Sequence, residues 1–316
     1  PTVARSVAWR DADAGVSITA SHNPPEDNGL KLWQRSGQAF DEKRRRSIEG
    51  RVNEGRFDLA PWDRQGTDTH WSAADARHVE AVTRSMSSCD RSVVVDVGNG
   101  AGGVTIDILQ ALGCSVETLN AQPDGSFPGR SSEPTARSCS TLREYVAASS
   151  VDLGVAHDGD ADRLQAVAGD GTWVPGDVLL AIFAREAASA GDRVAAPVDT
   201  SLAVDDALAD IGAELVRTRV GDVYVAERAA EADVAFGGEP SGAWIWPDET
   251  LCPDGPMAAA KLVELIDRRG PLSQLVDDIE TYPIRRDSLE TADKAGAMER
   301  IRTVVEASYA SVDTLD

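Results

Sequence analysis

The hydrophobic positions of this chain fall into short runs, each closed by a polar or glycine-rich turn and followed by a stretch with helical spacing. Gly15-Val16-Ser17-Ile18 reads as a strand entering a polar turn at Thr19, and Leu30-Lys31-Leu32-Trp33 as a second strand. A charged helix is expected around residues 41–49, then a linker over residues 53–66. From Trp71 a helical segment leads to the β-branched run of residues 92–97, which ends in Gly98-Asn99-Gly100-Ala101-Gly102-Gly103 and opens an amphipathic helix to Leu112. A helix over residues 142–148 precedes a strand over residues 151–156, whose end meets an aspartate-rich segment. Further on, helix 178–188, strand 193–198, helix 202–211, strand 214–218, helix 222–231, strand 234–236 and helix 256–268 continue the alternation. Such alternation predicts an α/β fold of sheets covered by helices. The pattern divides at residues 1–68, 69–170, 171–278 and 279–316, the last being the start of a different unit.

A length of 316 residues suits two or three domains at ~100–200 residues each. Asp and Glu number 53 against 31 Lys and Arg, and the formal net charge of −22 argues against a nucleic-acid or anionic-membrane partner. No apolar run nears the ~20 residues needed to span a bilayer, and no basic-then-apolar signal opens the chain, so a cytoplasmic protein is expected. Cys89, Cys114, Cys139 and Cys252 are widely spaced without a CxxC pair, which predicts buried free thiols rather than a zinc site or a disulfide framework.

Three segments carry candidate chemistry. In Thr19-Ala20-Ser21-His22-Asn23-Pro24 a hydroxyl nucleophile follows a strand, where it can carry a phosphoryl group; the plainer alternative is a turn serine satisfying local backbone donors. Asp158-Gly159-Asp160-Ala161-Asp162-Arg163 sets three carboxylates at alternate positions, with small residues that let the loop fold around one hard cation such as magnesium; the alternative is a solvated acidic turn. Gly238-Glu239-Pro240-Ser241-Gly242 offers an acceptor pair in a glycine-flanked turn. A rival signal is the GxGxxG match at Gly98–Gly103, with Glu117 near the spacing of a ribose-binding acid, although Glu117 falls mid-strand rather than at a strand end.

Together the three segments resemble the α-D-phosphohexomutase family of phosphoglucomutases, phosphomannomutases and phosphoglucosamine mutases, over nearly the whole chain. The resemblance implies consecutive mixed-sheet α/β domains and a reversible shift of phosphate between C1 and C6 of a hexose phosphate, of glucose, mannose or glucosamine. A glucose 1,6-bisphosphate type of intermediate is implied with it. Ser21 would be phosphorylated at rest, with His22 supporting proton transfer and Lys31 as general acid/base and phosphate counter-charge. Asp158, Asp160 and Asp162 would bind Mg²⁺ together with an oxygen of the phosphorylated Ser21, and Arg163 would pair with phosphate oxygens. Glu239 and Ser241 would contact sugar hydroxyls, while Gly221 and Asp222, in Val220-Gly221-Asp222, resemble a further substrate loop.

Two departures matter. Many members carry His after the last glycine of the sugar loop where this chain has Ala243, a variant that resembles archaeal members, several assigned to phosphoglucosamine. With only Lys31, Lys43, Lys261 and Lys294 as lysines, the acidic composition also resembles that of proteins from salt-loving archaea. Against a four-domain family pattern, the first domain reads as incomplete and the fourth as largely missing. A fragment with impaired activity is therefore expected, least well packed at residues 1–20 and 279–316. Two rival functions are a non-catalytic phosphosugar-binding protein and a serine-dependent, metal-assisted phosphatase, for which His22, His70, His78 and His157 are few histidines.

Overall fold

The computed structural model describes residues 1–284, 290–310 and 312. Helix α1 (Thr2–Trp9) leads into an antiparallel hairpin of β1 (Ala14–Ile18) and β2 (Leu30–Gln34). Helix α2 (Glu42–Asn53) buries no residue, in keeping with its run of charges, and Asp41 caps it by accepting from Arg44 N at 2.8 Å. Residues 54–70 are exposed throughout and join this part to the next.

The second sheet is built from α3 (Ala74–Thr83), β3 (Ser92–Asp96), α4 (Val104–Ala111), β4 (Ser115–Leu119), α5 (Ser140–Ala148), β5 (Leu153–His157) and β6 (Leu164–Ala168). Its order is β4-β3-β5-β6, parallel except for the antiparallel pair β5–β6. Val93, Val94 and Val95 are consecutive and all fully buried, because a central strand covered by helices on both faces has no solvent side.

The third sheet follows α6 (Gly176–Ala187) and contains β7 (Arg193–Pro197), α7 (Leu202–Ala209), β8 (Glu214–Thr218), α8 (Asp222–Ala229), β9 (Val234–Gly238) and β10 (Trp244–Ile245), in the order β10-β9-β7-β8. Helices α9 (Gly255–Arg269), α10 (Leu272–Asp277) and α11 (Lys294–Ser308) complete the described elements. Helix α9 returns to the second sheet and packs on α4, β5 and β6, so one apolar core runs from Val93, Ile108 and Leu153 through Leu262 to Phe183 and Trp244. Phe183 meets Trp244 edge-on at 5.2 Å. Each such fully buried large side chain contributes about 1.5–3 kcal/mol relative to exposure, which holds the two sheets in one body.

Several expectations need correction. Residues 2–9 form a helix that the pattern did not predict, and it is not loosely packed: Ala4 and Val7 are buried against Trp33 and Cys252. Eight residues give too few turns for a clear periodicity, and such a helix draws its stability from the surface it covers. Exposed apolar side chains near the start are Val3 of α1 and Val16 and Ile18 of β1. Strand β6 was also unforeseen, since a five-residue, mostly apolar run reads equally well as loop or helix. In α11 the buried residue is Ala297, as expected for a weakly packed segment, whereas residues 285–289, 311 and 313–316 of the 279–316 expectation lie outside the described residues. All four cysteines are buried and free. Among the described residues no helix is long and apolar enough to cross a membrane.

Candidate active site

At the end of β1 the chain turns sharply. Ser21 takes a φ of 55°, a left-handed conformation uncommon for a residue with a side chain. Such strain, of order 1–3 kcal/mol, persists only where the surroundings over-determine it. Here Ser21 N donates to Thr19 Oγ1 at 2.8 Å, and the buried Ser132 Oγ lies 2.7 Å from His22 O and 2.8 Å from Asn23 O. Gly159 presses so closely on the Ser21 carbonyl that a Cβ there would collide with it.

The aspartate triplet occupies the turn of the β5–β6 hairpin, whose last strand pair is His157 with Leu164. Ala161 in that turn is also left-handed, with φ 57°. His157 Nδ1 lies 2.7 Å from Arg163 O and its Nε2 2.9 Å from Thr105 Oγ1. A carbonyl only accepts, so Nδ1 carries the proton and Nε2 accepts from Thr105. Burial lowers the pKa of His157 to about 4, which keeps this strut neutral. Behind the loop, Ala101 N donates to Gly159 O at 2.9 Å, and a Cβ on Gly100 would sit 2.5 Å from that oxygen. The glycines of the GxGxxG match are thus spent on a tight turn, with Gly98 at φ 63° and Asn99 at φ 58°, and on close approach to Gly159. This use of the run removes the glycine argument for nucleotide binding.

The two loops meet at their side chains. Ser21 Oγ donates to Asp158 Oδ2 at 2.8 Å, with His22 Nδ1 3.2 Å from the same Oγ, and Thr19 Oγ1 donates to Asp160 Oδ2 at 3.2 Å. Lys31 Nζ, from β2, pairs with Asp160 Oδ2 at 2.9 Å and with Asp162. Burial, reinforced by Asp162 and Asp160, pushes the Asp158 carboxyl well above the ordinary range, and burial raises Asp162 as well. Burial would raise Asp160 too, but Lys31 holds it down at about 2. For Lys31 burial is outweighed by Asp162 and Asp160, so the ammonium is held charged. Burial and then Arg163 lower the pKa of His22. One oxygen from each of Asp158, Asp160 and Asp162 lies within 4.8 Å of the others, and Asp160 Oδ1 is buried without a hydrogen-bond partner. Converging carboxylates with an orphaned oxygen fit a hard divalent cation.

A third loop closes the site. Glu239 Oε1 accepts from Gly221 N at 2.8 Å and Oε2 from Ser241 Oγ at 3.2 Å, so the β9–β10 turn is tied to the start of α8. Gly221 has φ 134°, which a side chain would oppose. Burial, then Asp222, lifts Glu239 to about 6. Arg163 joins this loop to the triplet: its N lies 3.2 Å from Asp158 Oδ1, and it bridges to Ala243. A cavity of about 400 Å³ is lined by Arg163, Asp199, Gly221, Asp222, Glu239 and Ser241. The candidate residues for phosphoryl transfer, metal and sugar binding therefore lie on these converging loops or on β2 beside them, whereas Glu117, the candidate ribose-binding acid, sits on β4 and accepts from Tyr145. Ser132 and Asp199 carried no motif signal; His157 could have been found as the last residue of a buried strand before the triplet.

Comparison with known proteins agrees with this architecture. Residues 1–59, 73–171 and 175–282 match phosphoglucomutase/phosphomannomutase alpha/beta/alpha domains I, II and III. A Methanocella arvoryzae protein named "Probable phosphoglucosamine mutase" is 44% identical over 319 residues, covering 100% of this chain and 71% of the relative. A phosphoglucomutase/phosphomannomutase family protein from Burkholderia thailandensis superposes with a TM-score of 0.79 at 27% identity, covering 86% of this chain and 59% of its own. Aspergillus fumigatus N-acetylphosphoglucosamine mutase, solved with GlcNAc-6P and magnesium, shares the fold at a TM-score of 0.66 and 16% identity, over 92% of this chain and 77% of that one. With domains I to III matched in order along the chain, this protein belongs to the phosphoglucomutase/phosphomannomutase family.

Proposed function

We propose that the chain carries the phosphoryl-transfer machinery of a phosphohexomutase, with Ser21 as the carrier. The observation behind this reading is the bond from Ser21 Oγ to Asp158 Oδ2 inside the carboxylate triplet. A phosphate on Ser21 would add negative charge beside three carboxylates, more than Lys31 and Arg163 together offset. Asp158, Asp160, Asp162 and an oxygen on phosphorylated Ser21 would hold Mg²⁺, which supplies charge neutralisation at the phosphoryl group. In this reading residues 1–68 bring the phosphoserine loop, residues 69–170 the metal loop and residues 171–278 the sugar loop.

A hydroxyl of the bound hexose phosphate attacks the phosphorus on Ser21. The P–O bond to Ser21 breaks as the P–O bond to the sugar forms, giving a 1,6-bisphosphate, and the hydroxyl proton reaches Ser21 Oγ through the titratable side chains beside it. His22, next to that oxygen, relays the proton. Lys31, held charged by Asp162 and Asp160, keeps its proton and serves the phosphoryl group as hydrogen-bond donor and counter-charge rather than as general acid/base. Arg163 offers a planar fork to the phosphate oxygens, and Glu239 and Ser241 accept from sugar hydroxyls, with Gly221 and Asp222 lining the same cavity beside them. The bisphosphate then turns over, and its other phosphate returns to Ser21 by the same bonds in reverse. Positioning and charge neutralisation are what phosphoryl transfer asks of a protein.

Among glucose, mannose and glucosamine we place glucosamine phosphate first. Asp199, Asp222 and Glu239 all line the cavity, which favours a sugar bearing an ammonium group, and the archaeal relative carries the corresponding name. Incubation with glucose 1,6-bisphosphate and Mg²⁺ should leave phosphate on the peptide containing Ser21, and none in Ser21→Ala. Turnover compared for glucosamine 6-phosphate, glucose 1-phosphate and mannose 1-phosphate then ranks the sugars. Unaltered turnover in Ser21→Ala would sink the mechanism.

A further inference from the structure

Asp254 belongs neither to the cavity lining nor to the triplet, yet it is fully buried and joins three parts of the chain. Its Oδ2 accepts from Arg5 Nε on α1 at 2.6 Å and from His78 Nε2 on α3 at 3.0 Å, while Oδ1 caps α9 through Met257 N at 3.0 Å. Thr2 Oγ1 occupies the other ring nitrogen of His78 at 2.9 Å. The next residue, Gly255, opens α9 and lies against the back of the metal loop. A Cβ there would come within 2.6 Å of Arg163 O, 2.7 Å of Ala161 O and 2.8 Å of His157 Nδ1. Those two carbonyls flank Asp162, and His157 directly precedes Asp158.

Stability alone is a weak account of this cluster. Exchanging a buried ion pair for well-packed apolar side chains is often neutral or stabilising, whereas charge-assisted hydrogen bonds fix geometry sharply. We propose that Asp254, tied to Arg5 and His78, is a positioning residue for Asp158, Asp160 and Asp162: it seats the start of α9 beneath their loop and so sets the spacing of the oxygens that hold the cation. This inference rests on the cation reading given above. It makes metal affinity depend on how α1 and α3 dock, far from the carboxylates themselves.

The test is a Mn²⁺ titration of the chain followed by electron paramagnetic resonance, with Mn²⁺ standing in for Mg²⁺. Asp254→Asn keeps an oxygen to cap α9 and removes the charge; Gly255→Ala leaves the charges and pushes on the loop. Both should weaken Mn²⁺ binding by roughly tenfold to a hundredfold, the scale seen for groups that orient metal ligands, with the far-UV circular dichroism kept. Should Asp254→Asn fail to fold, Gly255→Ala decides alone. Leu262→Ala, buried further along α9, is the control. It should lower Tm without moving Mn²⁺ affinity, and an equal loss of affinity there would reduce the effect to general destabilisation and overturn the proposal. Unchanged affinity in Asp254→Asn and Gly255→Ala, with binding lost in Asp160→Ala, overturns this inference and leaves the cation reading standing. Unchanged affinity in Asp160→Ala overturns both.

Discussion

Ser21 and Asp158 stand 137 positions apart in the chain, yet the hydroxyl of one donates to the carboxylate of the other at 2.8 Å. The bond joins a strained left-handed turn to the tip of a buried hairpin, and it puts the candidate nucleophile within the carboxylate cluster. Placing an anionic phosphate there is unfavourable without a cation, which is why the mechanism proposed for Ser21 includes a metal.

Asp158→Asn separates function from stability at this contact. The charge of Asp158 is buried beside two further carboxylates, so its removal relieves repulsion in the absence of metal. In EDTA the Tm should stay level or rise, while phosphorylation of Ser21 by glucose 1,6-bisphosphate falls by roughly a hundredfold, the upper scale for losing metal support. Differential scanning calorimetry and phosphopeptide analysis read the two effects. A variant that unfolds earlier in EDTA and phosphorylates normally would contradict both.

Glu239 should set an acid limit on turnover. Its carboxyl, lifted to about 6 by burial and then by Asp222, gains a proton as pH falls through that value and ceases to be a full acceptor for sugar hydroxyls. KM should rise below pH 6, and Glu239→Gln should flatten that rise. Stability runs the other way. A folded value above the ordinary 4.5 means this carboxyl's contribution is fully present below pH 4.5 and lost as pH rises through 6. At pH 7.5 Glu239→Gln should therefore gain up to about 2 kcal/mol, the equivalent of the upward shift. Denaturant melts at pH 5 and pH 7.5 would show whether the gain appears only at the higher pH.

Ser132 is expected to hold the Ser21 turn in place without touching the reacting atoms. Ser132→Ala removes the hydroxyl shared by His22 O and Asn23 O and leaves these carbonyls short of a partner, at a cost of about 1–3 kcal/mol. The rate of Ser21 phosphorylation should drop while Mn²⁺ affinity, set by the other loop, stays unchanged. Equal losses in both measurements would mean that the two loops move as one.

Salt should stabilise this chain. With 53 acidic against 31 basic side chains, self-repulsion dominates the surface electrostatics. Raising KCl from about 0.1 M to about 1 M shortens the screening length from ~10 Å to ~3 Å. Exposed pairs such as Arg44–Asp41 are weakened at the same time, but solvent screening already leaves each with little to lose. The Tm should climb with KCl; a steady fall would show that the exposed pairs outweigh the repulsion.

The sequence by itself determined the alternation of strands and helices and the residue types at the site. Periodicity and turn chemistry report local backbone, and local backbone is what positions Ser21 after one strand and the Asp158 triplet after another. The same local signals could not show that Leu164–Ala168 folds back as a strand, because five residues, four of them apolar, carry no clear period of their own until β5 pairs with them. Nor could they anticipate the left-handed φ of Ser21, held by Thr19 within its own turn and by Ser132 and Gly159 pressing on that turn from separate segments. Tertiary structure alone decided that Arg5 meets Asp254 across 249 positions and that Gly255 comes to rest behind Ala161 and Arg163. Such contacts arise when elements pack face to face and buried charges must find partners, a condition set by the whole core and written in no single stretch of chain.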